Sequence, residues 1–412
     1  MSDKATTLDG GLALTYAALI GMALGPIFFG SYGALQKLKS PKPAKGKADA
    51  ESDSSDDEDE EDESETVSSD DAYMFPVYGS ATLFGLYMVF KYVNKEYVTY
   101  LLTAYFSLIG VPALTTFFTG AVRGVTGLRL PRYHLTLTKR AESYFNVKFT
   151  NLTIAMAVVS VATTVAYVMT KNWILSNVFG IALAYNAIQL IRLDSFKTGI
   201  IMLMGLFVYD IFWVFGTEVM VSVATKFDGP IKVLWPRNLL TIQGDEPYKM
   251  AMLGLGDIVV PGVFVALALA YDRARYLKAA GYPGFKPVVP AAVLKTCYPK
   301  PYFTACFVAY IVGLVTTMAI MHVFQAAQPA LLYLSPACSL SVVLVALARG
   351  ELGELFAFST EDPAEKEKKE KAEADKKLKG AEKVASPVKT RSRAQKEKKA
   401  HKSKATSDDE EE

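Results

Sequence analysis

Two acidic residues stand where acidic residues are expensive. Asp210 in GLFVYDIFWVFG and Asp257 in LGLGDIVVPG each lie well inside a long apolar stretch. An aspartate at the centre of a membrane-spanning helix disfavours insertion by roughly 2.5–3.5 kcal/mol, so such residues face a wet cavity or a partner and mark function. Two carboxylates brought together cannot both ionise cheaply. They share a proton, leaving one acid and one base for attack by water on a peptide carbonyl. The same pair would also serve a cation site or proton relay in a transporter. The residues taken alone leave both chemistries open.

The neighbours fit the hydrolytic reading. Gly254, Leu255 and Gly256 run directly into Asp257, and two glycines in three residues permit local unwinding or close backbone approach. Unwinding matters because a helix shields its own peptide bonds, and irregular backbone at membrane depth is tolerated only where protein or water satisfies it. Tyr209 adjoins Asp210. Gln328, Pro329, Ala330 and Leu331 open the last apolar run, where the proline lacks an amide hydrogen and can leave backbone groups for a substrate strand. Each feature has a plainer reading as well: glycines allow close helix packing, and prolines start helices.

These residues require a membrane scaffold. Of 412 residues 51% are hydrophobic, and the charges crowd into a few stretches. Apolar runs of spanning length place helices near 11–33, 74–92, 97–119, 151–170, 173–192, 197–218, 249–271, 302–324 and 328–348. The fold class is therefore an all-α polytopic membrane protein of about nine transmembrane helices. Asp210 precedes the expected end of its helix by about eight residues and Asp257 follows Lys249 by about eight. At about 1.5 Å per residue both lie roughly 12 Å from one membrane edge.

Lysines and arginines set the orientation. Lys37 to Lys47, Arg123 to Lys148 and Arg273 to Lys300 fill one set of alternate connections, and the other set is poorer. The bias puts the N-terminus in the lumen and the C-terminus in the cytosol. The chain divides into an N-terminus with its first helix (1–35), an acidic cytosolic loop (36–73), helices 2–5 (74–192), the aspartate-bearing helices 6–9 (193–350) and a charged cytosolic tail (351–412). Glu51 to Ser64 is almost wholly acidic and serine, and 361–407 has no apolar stripe, so both read as disordered. The net charge of +2 is the cancellation of these opposite stretches. Cys297, Cys306 and Cys338 show no paired spacing, and His134, His322 and His401 are scattered, so neither a disulfide framework nor a metal site is expected.

Tyr209-Asp210, the GLGD of Gly254 to Asp257 and the PAL of Pro329 to Leu331 together resemble the three-part signature of the GxGD intramembrane aspartyl proteases. The wording LFVYDIFWVFGTEVMV, AMLGLGDIVVPG and HVFQAAQPALLYLSPA is most similar to the signal peptide peptidase branch, from about Asn177 to Phe358 and more weakly back to Tyr73. No motif position departs from the pattern. The resemblance implies a nine-helix bundle with Asp210 and Asp257 as catalytic pair, Tyr209 shaping the site, and Pro329 to Leu331 positioning substrate. It implies an endoplasmic reticulum enzyme without cofactor, acting on remnant signal peptides and on type II or tail-anchored membrane proteins. Its partners would be those substrates, the lipid bilayer and, in a homo-oligomer, its own copies, with no nucleic acid.

Presenilin shares the three motifs. The short connection near 219–248 and the lumenal N-terminus argue against a presenilin-like protein, and the inverted site suits substrates whose N-terminus is cytosolic. The chain ends in Asp408 to Glu412, where some relatives carry a dilysine retrieval signal. The sequon Asn151-Leu152-Thr153 lies on the expected cytosolic side and is expected to stay unmodified.

Overall fold

The computed structural model describes residues 10–37, 65–127, 131–139, 142–217, 219, 229–237, 250–282, 297–324 and 328–360. The acidic run and the tail beyond Thr360 lie outside them.

Most apolar runs become helices with identifiable ends. The long ones are α1 (Gly10–Lys37), α2 (Ser69–Tyr92), α3 (Lys95–Thr126), α4 (Asn151–Thr170), α5 (Trp173–Leu190), α6 (Phe196–Asp210), α7 (Gly256–Ala279), α8 (Pro301–Phe324) and α9 (Leu331–Arg349), followed by a short α10 (Leu352–Ala357). Oxygen-bearing side chains start the helices. Ser68 forms a reciprocal capping box with Asp71, and Asn94, Thr150, Asn172 and Ser195 each accept an amide of the first turn. Gly127 and Gly350 end α3 and α9 at φ 61° and 69°, the left-handed region that glycine enters without a Cβ penalty.

Among the described residues eight helices are long and apolar enough to cross a membrane. Length suits α7 too, but its 24 residues include Asp257, Asp272, Arg273, Arg275 and Lys278. The expected span at 249–271 is thus corrected. Met250–Gly254 is a strand, the helix begins at Gly256, and it runs on to Ala279 with its charges at the far end. The fold remains that of a polytopic helical membrane protein.

α7 occupies the centre, packed by α1, α5, α6, α8 and α9. Its Ile258, Val263, Phe264, Val265, Leu267, Ala268 and Leu269 are buried in the main core. α2, α3 and α4 lie outside, with Leu108, Val125, Val158 and Met169 exposed as lipid-facing residues are. Close approach at the centre depends on missing side chains. A Cβ on Gly262 would lie 2.7 Å from Ile188 of α5, and one on Gly199 of α6 would lie 2.6 Å from the Phe264 ring of α7. Gly199→Ala is therefore expected to cost about 1–3 kcal/mol by overpacking and to lower the thermal midpoint in detergent. Gly21→Ala, whose new methyl meets nothing within 4 Å, should leave the midpoint unchanged.

Short strands tie the helix ends together. β1 (Glu65–Val67) pairs in parallel with β4 (Ile191–Leu193), β2 (Arg132–Lys139) pairs antiparallel with β3 (Glu142–Thr150), and β5 (Lys232–Pro236) pairs antiparallel with β6 (Met250–Gly254). The acidic loop expected over 36–73 consequently ends early: Glu65–Val67 are strand and α2 starts at Ser69.

The tail expected from 351 starts late. Glu351 bonds Arg275 at 2.5 Å and Tyr302 at 2.8 Å, Leu355 is buried, and Ser359 bridges to Ser195. These contacts strap residues 351–360 across the ends of α6, α7 and α8. On the same side, Asp272 accepts the Tyr302 and Phe303 amides at 3.4 and 2.8 Å, capping α8. Cys306 and Cys338 are free buried thiols.

Candidate active site

Asp210 is the last α-helical residue of α6. The five residues after it, Ile211–Phe215, form a π-helical turn, and the Ile211 amide is shared between the Phe207 and Val208 carbonyls. Such single turns interrupt α-helices at functional positions because they re-aim side chains. The expected helix 197–218 therefore changes register at Asp210 itself. Asp210 is buried, 3% exposed.

α2 holds this helix along its length. Ser69 meets Thr198 at 2.8 Å, Pro76 fits over Gly205, and Trp213 Nε1 donates to Ser80 at 3.0 Å. Tyr209 lies in this seam. Its ring faces Gly79 of α2, 3.6 Å from where a Cβ would sit, and its centroid is 6.4 Å from that of Trp213. Tyr209 thus packs toward α2.

Asp257 reaches its place differently from the helix-depth expectation. It is the second residue of α7 rather than one two turns inside it. The physical cause is the extended approach. β6 pairs with β5 from Lys232 opposite Gly254 to Pro236 opposite Met250, and the Leu255 amide then donates to Ile231 O at 2.9 Å. Leu255 turns the chain and accepts the Ile258 and Val259 amides at 3.1 and 2.8 Å. The unwinding expected at the two glycines is found there: Gly254 ends the strand and Gly256 begins the helix. A Cβ on Gly254 would touch the Asp257 carboxylate at 3.4 Å, whereas one on Gly256 would enter open space. Asp257 is half-buried, and its carboxylate interacts with the Gly254 amide and with the charge of Asp210. α6 and α7 are neighbours in the bundle.

Two residues that the sequence reading passed over fix this arrangement. Asn177 of α5, 5% exposed, donates to Leu234 O and accepts the Leu234 amide, both at 2.7 Å. It serves as a strand partner for β5 in the middle of a helix bundle. A buried asparagine within an apolar run must find partners, and that was its visible signal. Tyr310 of α8, fully buried, donates to the Asp257 carbonyl at 3.3 Å. β5 falls inside the 219–248 connection, most of which lies outside the described residues.

The last span begins at Leu331 rather than at 328, with Ala330 at its cap. Ala330 O accepts the Tyr333 and Leu334 amides at 3.1 and 3.0 Å. Pro329, Ala330 and Leu331 are buried, and the last two share the main core with Ile258 and Tyr310. Gln328 is half-buried in the extended segment before them.

A paired-acid site held between two apolar helices is what an intramembrane aspartyl protease requires, and sequence comparison decides among the chains that have one. The profile described as signal peptide peptidase matches residues 59–362, which include both aspartates, the β5–β6 hairpin and Pro329 to Leu331. The chain belongs to the signal peptide peptidase family. It is 40% identical to signal peptide peptidase of Mus musculus over 386 residues, 90% of this chain and 92% of the mouse protein. The Homo sapiens protein of that name is 40% identical over 359 residues, 86% of this chain and 85% of its own. A probable intramembrane protease of Schizosaccharomyces pombe is 37% identical over 303 residues, covering 74% and 87%. This member of the signal peptide peptidase family is a multi-pass intramembrane aspartic protease acting on substrates embedded in the bilayer. The presenilin-like and transporter readings are not favoured.

Proposed function

We propose that Asp210 and Asp257 are the catalytic pair of this protease, an assignment supported by their places on the neighbouring helices α6 and α7 and by the electrostatic coupling of their carboxyls. With one proton between them, the ionised carboxylate takes a proton from water as its oxygen attacks the scissile carbonyl carbon. The protonated partner gives its proton to the carbonyl oxygen. On collapse of the tetrahedral diol the C–N bond breaks, the protonated carboxyl gives its proton to the leaving nitrogen and the other carboxylate takes a diol O–H proton, so the pair ends singly protonated. The proton belongs to the pair rather than to either residue.

The surroundings support the substrate requirement. The open space at Gly256 admits a second backbone beside Asp257, and β6 ends three residues before it. An extended segment laid along that strand would present its peptide carbonyl to the acids, with Gln328, Pro329, Ala330 and Leu331 positioning it from the other side.

The substrates we propose are remnant signal peptides and transmembrane segments of type II or tail-anchored proteins in the endoplasmic reticulum membrane. The loop charges support a lumenal N-terminus, a cytosolic acidic loop and a cytosolic tail. A glycosylation sequon engineered at the extreme N-terminus should be modified in cells and one in the tail should not. The opposite pattern contradicts this orientation. Proteoliposomes carrying the full chain and a synthetic signal-peptide helix should release peptide fragments. An Asp210-dependent proton or cation flux without fragments would instead mark a transporter.

A further inference from the structure

The main-chain carbonyl of Asp257 has lost its ordinary partner. In an α-helix the carbonyl of one residue accepts the amide of the fourth residue onward, and the fourth residue after Asp257 is Pro261, inside α7. Proline has no amide hydrogen, and its ring crowds that carbonyl. A carbonyl left without a donor in a water-poor site is costly. The donor comes from another helix: Tyr310 Oη, 3.3 Å away on α8.

Tyr310 is 0% exposed and belongs to the same core as Ile258 and Leu331. α8 packs against α7 and α9 over a long seam, with Gly313 closing onto Leu334. The hydroxyl is therefore held by a rigid element. A tyrosine buried in a membrane bundle needs a partner for its O–H, and the proline supplies one by exposing the carbonyl. Two local departures, a proline one turn into a helix and a phenol in an apolar core, satisfy each other at the backbone of an acidic residue.

We propose that Tyr310 is a positioning residue for the reaction, pinning the backbone of Asp257 through the carbonyl that Pro261 leaves unpaired. The proposal rests on the assignment of Asp257 to the catalytic pair. Only two rotatable bonds, Cα–Cβ and Cβ–Cγ, separate the carboxylate from the pinned backbone. Release of the carbonyl lets the first turn of α7 shift, and misplacement of reacting groups on the ångström scale costs up to about 100-fold in rate.

The test is a double-mutant cycle in the full-length protein in proteoliposomes, with a synthetic signal-peptide helix as substrate. Tyr310→Phe removes only the hydroxyl and should lower kcat by about tenfold with KM within about twofold of wild type. Pro261→Ala restores an amide four residues after Asp257. In that background Tyr310→Phe should lower kcat by less than about twofold, because the helix now satisfies its own carbonyl. Equal losses in both backgrounds would show that Tyr310 acts only by packing and would overturn the proposal, as would an unchanged kcat in the single variant. If Tyr310→Phe accumulates only in the Pro261→Ala background, the coupling is upheld; if it fails in both, the proposal is wrong. Asp257→Ala run in parallel keeps the catalytic assignment separate. Cleavage that survives Asp257→Ala refutes that assignment, whatever the cycle shows.

Discussion

Asp210→Asn is expected to reduce cleavage of a signal-peptide substrate by at least about 10³-fold, and adding Asp257→Asn should remove nothing further. The reason is that the acids act as one unit. Without either carboxyl there is no shared proton, and the remaining acid performs half of a two-part transfer. Groups that work together give grossly non-additive losses, whereas two independent binding carboxylates would give losses that multiply. Turnover of the single and double variants, purified side by side and matched for thermal midpoint, makes the comparison. Asparagine is close in volume to aspartate and uncharged, so it relieves the cost of burying two acids and should not destabilise the bundle. A double variant much weaker than either single one would argue for separate roles.

Asn177→Leu is expected to produce the second largest loss, about 10²-fold in kcat, although the residue lies outside the three motifs. Its amide makes both hydrogen bonds of the Leu234 backbone, each 2.7 Å long. Leucine fills the space and leaves a buried amide and a buried carbonyl unpaired, at about 1–3 kcal/mol for each. The strand that suffers is β5, whose pairing partner β6 delivers Gly254, Leu255 and Gly256 to Asp257. The effect should appear in kcat, together with a lower thermal midpoint, because the hairpin sets the position of an acid. Asn177→Asp should behave similarly, since it keeps an acceptor for the Leu234 amide but turns an oxygen toward the Leu234 carbonyl. Wild-type turnover in Asn177→Leu would mean that the hairpin is held by other contacts.

The aspartates, the glycines before Asp257 and most of the helices were legible in the sequence because each leaves a one-dimensional trace. An aspartate within an apolar run is visible by composition, and a span is visible by length. The approach to Asp257 was not legible. Met250, Ala251, Met252 and Leu253 are apolar in a row, and such a run is as compatible with a helix as with a buried strand. Its strand state is imposed by β5 and, behind that, by Asn177 on α5, both distant in sequence. Asp257 accordingly lies at the second residue of its helix rather than two turns inside it. The π-helical turn after Asp210 likewise leaves no residue pattern in GLFVYDIFWVFG, and its Trp213 is held from α2 by Ser80. Pro261 was in plain view within GDIVVPG, but its consequence needed Tyr310, brought from another helix.

At the other end of the bundle, residues 351–360 read as the beginning of a charged tail, although Leu352, Leu355, Phe356 and Phe358 stand beside Glu351 and Glu354. Their partners Arg275 and Lys278 lie on α7, so these ion pairs fasten the chain after α9 to the helix that carries Asp257.

The central claim is that Asp210 and Asp257 together cut peptide bonds inside membrane segments. Its most direct measurement is mass spectrometry of a synthetic signal-peptide helix incubated with the purified full-length protein or with its Asp257→Ala variant. The account predicts fragments cut within the apolar segment by the wild-type protein and none above background from the variant. The same fragments at the same rate from Asp257→Ala would contradict it.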